Sequence, residues 1–513
     1  MPEAPGRRER LGRWLVPAAA LLLLLFGDLD PERPEVTRMA AVALLMAGWW
    51  ITEAIPIPAT SLLPVALFPL LGILDGRSTA STYFNHLIFL FIGGFLFALS
   101  MQRWNLHRRI ALRILRILGT SAPMVLLGFM ASTWFLSMWI SNTASTMMMV
   151  PMALAILVPF KEHLEKDEAR RLGVVLILGV AYSASIGGMA TLIGTPPNLS
   201  FARILEIIFP AAPEISFADW FLFALPTSAV FVTIAWAVLC KLAKLKRGPM
   251  PVGSDLFHKE HKAMGPMTSE QRWIGGLFLV LIFGWMFRAD MELFGATIPG
   301  WSRLLPNPSM VDDGTVAIVV ALCLFLIPSK SRPGEALMDW KGASGIKWGI
   351  VLLFGGGFAL AKGFLTSGLS DWFGQQLAAL SDVPPVVLVL VVCLTITFLT
   401  ELTSNMATTE VVLPVLAAMA VAVETDPLLL MIPATLSASC AFMLPVATAP
   451  NAIAFGSGEI KITDMMRYGF LLNLIGVGLI VATIFLIGVT VLDIEPGVLP
   501  EWASTQGTAP QHH

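Results

Sequence analysis

Apolar runs of about twenty residues recur along the chain, each closed by a charged or Pro/Gly-rich break and each long enough to cross a hydrocarbon layer about 30 Å thick as a helix. They predict eleven crossings, at 14–27, 36–55, 58–74, 84–102, 172–208, 218–240, 270–288, 313–328, 347–366, 428–458 and 466–492. Two further apolar stretches, 122–160 and 384–424, are interrupted at the middle by a polar Ser-Asn cluster. Irregular backbone at membrane depth is tolerated only where it lines a protein-enclosed cavity, so each stretch is predicted as a re-entrant hairpin that enters and leaves on one side.

Basic residues test this assignment, because the loops that stay inside carry most of the Lys and Arg. With the N-terminus inside, the inner segments hold 26 of the 33 Lys and Arg, and the outer side keeps only Arg33, Arg38, Arg77, Arg203, Arg288, Arg303 and Lys362. Turning either hairpin into a full crossing would invert everything after it and destroy the asymmetry. Eleven crossings from an inside start place the C-terminus outside.

Composition removes the soluble alternatives. The chain is 56% hydrophobic and 13% charged, with mean hydropathy +0.76, whereas soluble domains are about 25% charged. The net charge of −2 favours no polyanionic partner, nucleic acid included. Cys240, Cys323, Cys393 and Cys440 lie in apolar surroundings without CxxC spacing and read as buried thiols, neither disulfides nor metal ligands. Arg7, Arg8, Arg10 and Arg13 before the run Leu15 to Phe26 resemble a signal peptide, but no small-residue cleavage site follows, and a retained first helix is expected. Compact loops and the lack of an exposed glycosylation sequon favour a bacterial inner membrane; Asn198-Leu199-Ser200 falls within a membrane motif.

The two hairpins are related in sequence. Phe135-Leu136-Ser137-Met138-Trp139-Ile140-Ser141-Asn142-Thr143-Ala144-Ser145-Thr146 recurs 263 residues later as Phe398-Leu399-Thr400-Glu401-Leu402-Thr403-Ser404-Asn405-Met406-Ala407-Thr408-Thr409. Gly93-Gly94 answers Gly355-Gly356, and Gly194-Thr195-Pro196-Pro197-Asn198 answers Ala447-Thr448-Ala449-Pro450-Asn451. The first hairpin opens inward and the second outward, an inverted repeat of the kind that places transporter sites near the bilayer midplane. The expected organisation is 1–83, N-terminal spans; 84–246, first repeat; 247–269, inner linker; 270–346, further spans; 347–495, second repeat; and 496–513, a polar tail ending in His512 and His513. A helix broken at Ser141-Asn142-Thr143 or Thr195-Pro196-Pro197 frees carbonyls on one half and amides on the next. Carbonyl ends suit a cation, and amide ends, with about half a positive charge, suit an anion.

Bland readings exist for each residue taken singly: Ser, Thr and Asn often join neighbouring membrane helices, and Gly or Pro often permits packing or a kink. Two matched clusters, each with its own matched Thr-x-Pro-Asn break, favour a site. Glu53, Glu401 and Glu410 are weaker candidates, either proton carriers or interfacial and packing residues. His86, His107 and His163 near span ends are expected to be solvated or interfacial, and Trp49 and Trp50 to pack or anchor.

From Trp49-Trp50-Ile51-Thr52-Glu53-Ala54-Ile55-Pro56 through both Ser-Asn motifs to Ala449-Pro450-Asn451, the sequence resembles the divalent anion/sodium symporters, which carry dicarboxylates, citrate or sulfate. The resemblance implies an all-α membrane protein with eleven transmembrane helices and two hairpins, assembled as a homodimer with scaffold and moving transport domains. It implies a first sodium site at Ser137, Ser141, Asn142 and the Gly194 carbonyl, and a second at Thr400, Asn405 and carbonyls near Thr403 and Ala447. Substrate carboxylates would lie near Asn142, Thr143, Ser404 and Asn405, with Thr195, Thr448 and adjoining backbone close by. The sequence departs from the family pattern where Met406 replaces a Thr and Ala449 replaces a Pro, both on the second-half wall of the site. The function implied is sodium-coupled symport of a C4 dicarboxylate, two or more Na+ binding first. Exchange, or transport of citrate, sulfate or an arsenite-type anion, stands as the alternative. An intramembrane hydrolase is disfavoured, because no His or Lys is found at general-base position beside the deep serines.

Overall fold

A computed structural model describes residues 7–118, 121–163, 165–245, 259–293 and 296–504. Most of the linker 247–269 and the end of the tail, His512 and His513 included, lie outside the described residues. The fold is helical throughout, with one two-stranded antiparallel ribbon that pairs Met291–Leu293 with Ala296–Ile298.

Among the described residues, six helices are long and apolar enough to cross a membrane: Gly76–Arg103, Lys166–Gly188, Phe217–Leu242, Trp348–Ser367, Asn405–Ala422 and Ile462–Val491. Counting Leu369–Leu380 and Pro385–Thr400 as one span bent by 119° gives seven. Other expected crossings appear in shorter pieces, for physical reasons visible in the sequence. The run 58–74 splits into Ile57–Thr60 and Leu63–Leu71, where Pro58 and Pro64 occupy first-turn positions that need no amide donor. The runs 172–208 and 428–458 each break into two helices, Lys166–Gly188 with Pro196–Ile208 and Pro427–Ala438 with Ala449–Gly456.

One element was not foreseen. The basic stretch after Arg103 forms the amphipathic helix Leu106–Leu118, which packs against Ala122–Ser137. Leu106, Ala111, Leu112 and Leu115 are buried while Arg108, Arg113 and Arg116 are exposed. Arg109 donates to Gln271 Oε1 at 2.8 Å and to the carbonyls of Met264, Gly265 and Pro266, so this helix ties down the approach to Ser269–Met286. His107 is buried rather than solvated, its Nδ1 3.1 Å from the Met101 carbonyl, and burial lowers its pKa below the ordinary value.

Two hairpins organise the interior. Ala122–Ser137 turns through Met138–Ser141 into Asn142–His163, and Pro385–Thr400 turns through Glu401–Ser404 into Asn405–Ala422. Lys166–Gly188, buried over 94% of its most apolar window, packs against both arms of the first hairpin, and Pro427–Ala438 against both arms of the second. The half-helix after each break crosses to the other hairpin: Pro196–Ile208 lies on Asn405–Ala422, and Ala449–Gly456 on Asn142–His163. At the periphery Trp49 Nε1 donates to the Gly12 carbonyl and Trp50 Nε1 to Ser61 Oγ. Glu53 caps Pro34–Thr52 at φ 51°.

Away from the hairpins, an ionic knot around the buried Arg288 and Asp313 joins three segments. Arg288 Nε donates to Asp313 Oδ1 at 2.6 Å, and Arg288 Nη2 to Glu214 Oε1 at 2.6 Å. The Phe217 amide donates to Asp313 Oδ2 at 2.8 Å. Replacing Arg288 with Ala leaves the Asp313 carboxylate buried without a counter-charge, for which the expected loss of stability is about 3–5 kcal/mol. Thermal unfolding of Arg288→Ala in detergent checks this, with Asp313→Asn expected to unfold at a higher temperature than Arg288→Ala; equal melting of Arg288→Ala and the parent would contradict it.

Candidate substrate and cation site

Both hairpin tips and both helix breaks meet at one cavity of about 280 Å³. Its wall carries Ser141, Asn142 and Thr143 from the first tip, Ser404, Asn405 and Met406 from the second, Thr195, Pro196 and Pro197 from the first break, and Thr448, Ala449 and Pro450 from the second. Those residues open four helices: Asn142–His163, Asn405–Ala422, Pro196–Ile208 and Ala449–Gly456. Four helix N-termini therefore turn the positive ends of their dipoles towards one space, although Pro196 and Pro197 leave Pro196–Ile208 without amides at its first two positions. Phe91, Gly94, Phe95 and Ala98 with Lys347, Ile350 and Leu353 complete much of the remaining wall.

The eight residues expected to hold substrate (Asn142, Thr143, Thr195, Ser404, Asn405, Met406, Thr448 and Ala449) all lie on this wall. The residues expected to hold sodium divide. Ser141, Asn142, Gly194, Asn405 and Ala447 reach the cavity, whereas Ser137, Thr400 and Thr403 are buried behind the tips.

The two tips share one local plan. Ser137 Oγ donates to Asn142 Oδ1 at 2.6 Å, and Thr400 Oγ1 to Asn405 Oδ1 at 2.8 Å. One turn further on, Thr146 Oγ1 donates to the Asn142 carbonyl and Thr409 Oγ1 to the Asn405 carbonyl, each at 2.8 Å. Each tip thus sets a hydroxyl and an amide oxygen together beside the carbonyl end of the preceding arm. Neutral oxygen donors suit a hard cation that crosses the membrane, and no cluster of three or more His, Cys, Asp or Glu suited to a tightly held metal occurs among the described residues. Gly188 permits the close approach, since a Cβ there would stand 2.5 Å from Asn142 Oδ1.

The breaks are held by residues that the sequence pattern displayed without revealing their role. Asn198 Nδ2 lies within hydrogen-bonding reach of the carbonyls of Gly188, Met189 and Thr191, at 3.2, 3.3 and 2.8 Å. Asn451 Nδ2 similarly reaches those of Ala441 and Leu444, at 2.9 and 3.0 Å. Glu401 accepts from the backbone amides of Phe442, Met443 and Leu444 and from Asn473 Nδ2, at 2.7 to 3.0 Å. Its carboxylate stands where backbone would otherwise lack partners, which is a packing role rather than that of an unengaged proton carrier. Glu410 is also buried; Ser200 Oγ donates to its Oε1 at 2.5 Å, and a Cβ on Gly357 would collide with it.

Ala449 has a further effect. Pro196 begins its helix without an N–H, whereas Ala449 at the matching position keeps one, so the departure in sequence adds a donor to the second-half wall.

Lys347 was not foreseen as a wall residue, its charge counting only towards the inner bias. Position alone could not reveal it, because 347 sits at the edge of a predicted span, where a solvated lysine is ordinary.

Comparisons with known proteins find relatives along most of the chain. The sodium-dependent dicarboxylate transporter SdcS of Staphylococcus saprophyticus is 42% identical over 493 residues, covering 95% of this chain and 93% of that protein. SdcS of Staphylococcus aureus is also 42% identical, over 498 residues, covering 95% and 92%. Among solved structures, Neisseria gonorrhoeae MtrF, of a class of antimetabolite efflux pumps, superposes with a TM-score of 0.56 at 15% identity, covering 92% of this chain and 98% of that one. The Alcanivorax borkumensis YdaH transporter gives 0.56 at 14%, covering 87% and 98%. At those identities the structural likeness is one of fold alone. Residues 14–492 match the family described as the sodium:sulfate symporter transmembrane region, and the chain belongs to that family of multi-pass membrane transporters.

Proposed function

We propose that this protein is a secondary active transporter that couples inward sodium movement to uptake of C4 dicarboxylates such as succinate, malate and fumarate. The observation that carries the anion reading is the convergence of four helix N-termini on one cavity. A dianion there exchanges water for oriented amides and hydroxyls. Two sodium ions fit the tips: one at Ser137, Ser141, Asn142 and the Gly194 carbonyl, the other at Thr400, Asn405 and carbonyls near Thr403 and Ala447. Their charges balance the dianion in a space with little water to do so, which makes dicarboxylate affinity depend steeply on sodium. Sodium dependence and dicarboxylate transport are also the named properties of the 42% identical SdcS proteins.

Alternating access follows if the hairpins and broken helices move as a unit against the remaining spans. Glu410 packs against Gly357 of Trp348–Ser367 within the second repeat, and the glycine gives the carboxylate room. The proposed assembly is a homodimer in a bacterial inner membrane, N-terminus inside and C-terminus outside. Each protomer has eleven crossings and two oppositely directed hairpins. Segments 1–83 and 270–346 form the scaffold; the repeats span 84–246 and 347–495.

Proteoliposomes loaded without sodium test the coupling. Succinate uptake driven by external sodium, and abolished by potassium, is expected; equal uptake in both would refute symport. Asn142→Ala and Asn405→Ala are each expected to lower uptake at least about a hundredfold, as removal of a ligand shared by cation and anion would. Either variant keeping near-parental uptake would remove that asparagine from the site. Gly188→Ala, which forces the Asn142 side chain aside, is expected to raise the half-saturating sodium concentration about tenfold while leaving the melting temperature close to that of the parent. Ala449→Pro deletes one donor to the anion, and an affinity loss of about tenfold for succinate is expected with an unchanged sodium requirement. Unchanged succinate affinity would place that amide outside the binding contacts.

A further inference from the structure

Lys347 is the one residue with a formal charge at neutral pH among the described residues lining the cavity. It occupies the position before Trp348–Ser367, on a turn anchored by the buried Ile346 and by the Trp348 amide donating to the Ile346 carbonyl at 2.9 Å. The nearest preceding acids in the chain, Glu335 and Asp339, are both engaged by Arg103 Nη2 at 2.7 Å. Lys347 itself makes no ion pair with a described residue. Its side of the wall continues through Ile350 and Leu353, beside Phe91 to Ala98 of the helix that ends at Arg103, with the Phe91 and Phe354 rings 5.3 Å apart. A Cβ on Gly345 would stand 3.5 Å from Leu99, so the chain entering Trp348–Ser367 lies beside the Arg103 end of that helix, and Lys347 joins the wall from this basic end.

From this placement we infer that Lys347 guides the anion at the inner mouth, drawing a dicarboxylate towards the tips from that side and favouring dianions over monoanions. The inference rests on the anion-transport reading above. A lone cation at the mouth of a low-dielectric cleft concentrates anions of the right sign and speeds their arrival. Because it acts through space, its effect is screened by salt over a Debye length of about 8 Å at physiological ionic strength. Because Coulomb energy scales with ligand charge, the effect on a dianion is the square of that on a monoanion. A lysine that merely caps its helix or reaches for the membrane surface produces neither signature.

The test is equilibrium binding of radiolabelled succinate and of its monomethyl ester to purified protein in nanodiscs. Sodium is held constant and ionic strength is raised with choline chloride from about 50 mM to about 1 M. Lys347→Gln is expected to weaken succinate binding about tenfold at low ionic strength and the monoester about threefold. Both differences should shrink below about twofold at high salt, while Lys347→Arg stays within about twofold of the parent throughout. Melting temperatures of both variants establish that they fold. Equal binding by Lys347→Gln and the parent at low salt, or a loss that persists at high salt or is the same for both ligands, overturns the inference. Such a result leaves the transport reading intact provided the parent binds succinate with sodium. A parent that binds no dicarboxylate overturns both.

Discussion

A backbone N–H or C=O that leaves its helix inside a hydrocarbon layer has no water to pair with, and an unpaired group there costs several kcal/mol. The chain interrupts helices at four places around one cavity, at Met138–Ser141, Glu401–Ser404, Met189–Thr195 and Ser439–Thr448, and must therefore supply partners at each. Asn198 and Asn451 satisfy carbonyls, Glu401 satisfies three amides, and Thr191 Oγ1 donates to the Met138 carbonyl at 2.6 Å. What these side chains leave open is directional: amide ends and neutral oxygen atoms turned towards a common space. On the proposed reading, solutes of opposite charge share the site because the fold gives each the end of the helix that suits it.

The same constraint explains the packing. A half-helix as short as Ala449–Gly456 has too few internal hydrogen bonds to stand alone, and it rests on the first hairpin and on Lys166–Gly188. Pro196–Ile208 rests reciprocally on the second hairpin and on Trp348–Ser367. Each tip is thereby positioned by sequence from both halves of the chain. On the proposed reading, these contacts carry a displacement at one hairpin to the break that faces it, as coupled binding of cation and anion requires.

Sequence legibility follows from which properties are periodic or repeated. Apolar runs and the doubled Ser-Asn cluster survive in one dimension, so the wall residues Asn142, Thr143, Ser404 and Asn405 could be named before any coordinates. The recurrence of Asn198 and Asn451 was visible too, but their function is to hold carbonyls seven to ten residues back, a relation that exists only once the break has folded. Glu401 was ambiguous for the same reason: an acid beside an apolar run looks titratable until the amides it accepts from, 41 to 43 residues away, are brought to it. The helix Leu106–Leu118 was hidden by its basic residues, which read as an inner loop although its apolar face had helical spacing. Lys347 carried no local signal at all.

Charge accounting at the cavity gives that lysine its significance. On the proposed reading two sodium ions neutralise a dicarboxylate, and the helix ends add partial charges that are fixed in place and cannot follow the solute. A transporter must also let its cargo leave, so a full positive charge at the tips would hold the anion after the sodium ions depart. Lys347 lies on the wall formed by the start of Trp348–Ser367, outside both hairpin tips. There its attraction reaches the approaching and the bound anion only through space, and is weakened by salt and water at the mouth. Keeping positive formal charge off the tips, and placing the one charged residue described on the cavity wall beyond them, leaves tight binding dependent on the mobile sodium ions, which is the condition for coupling.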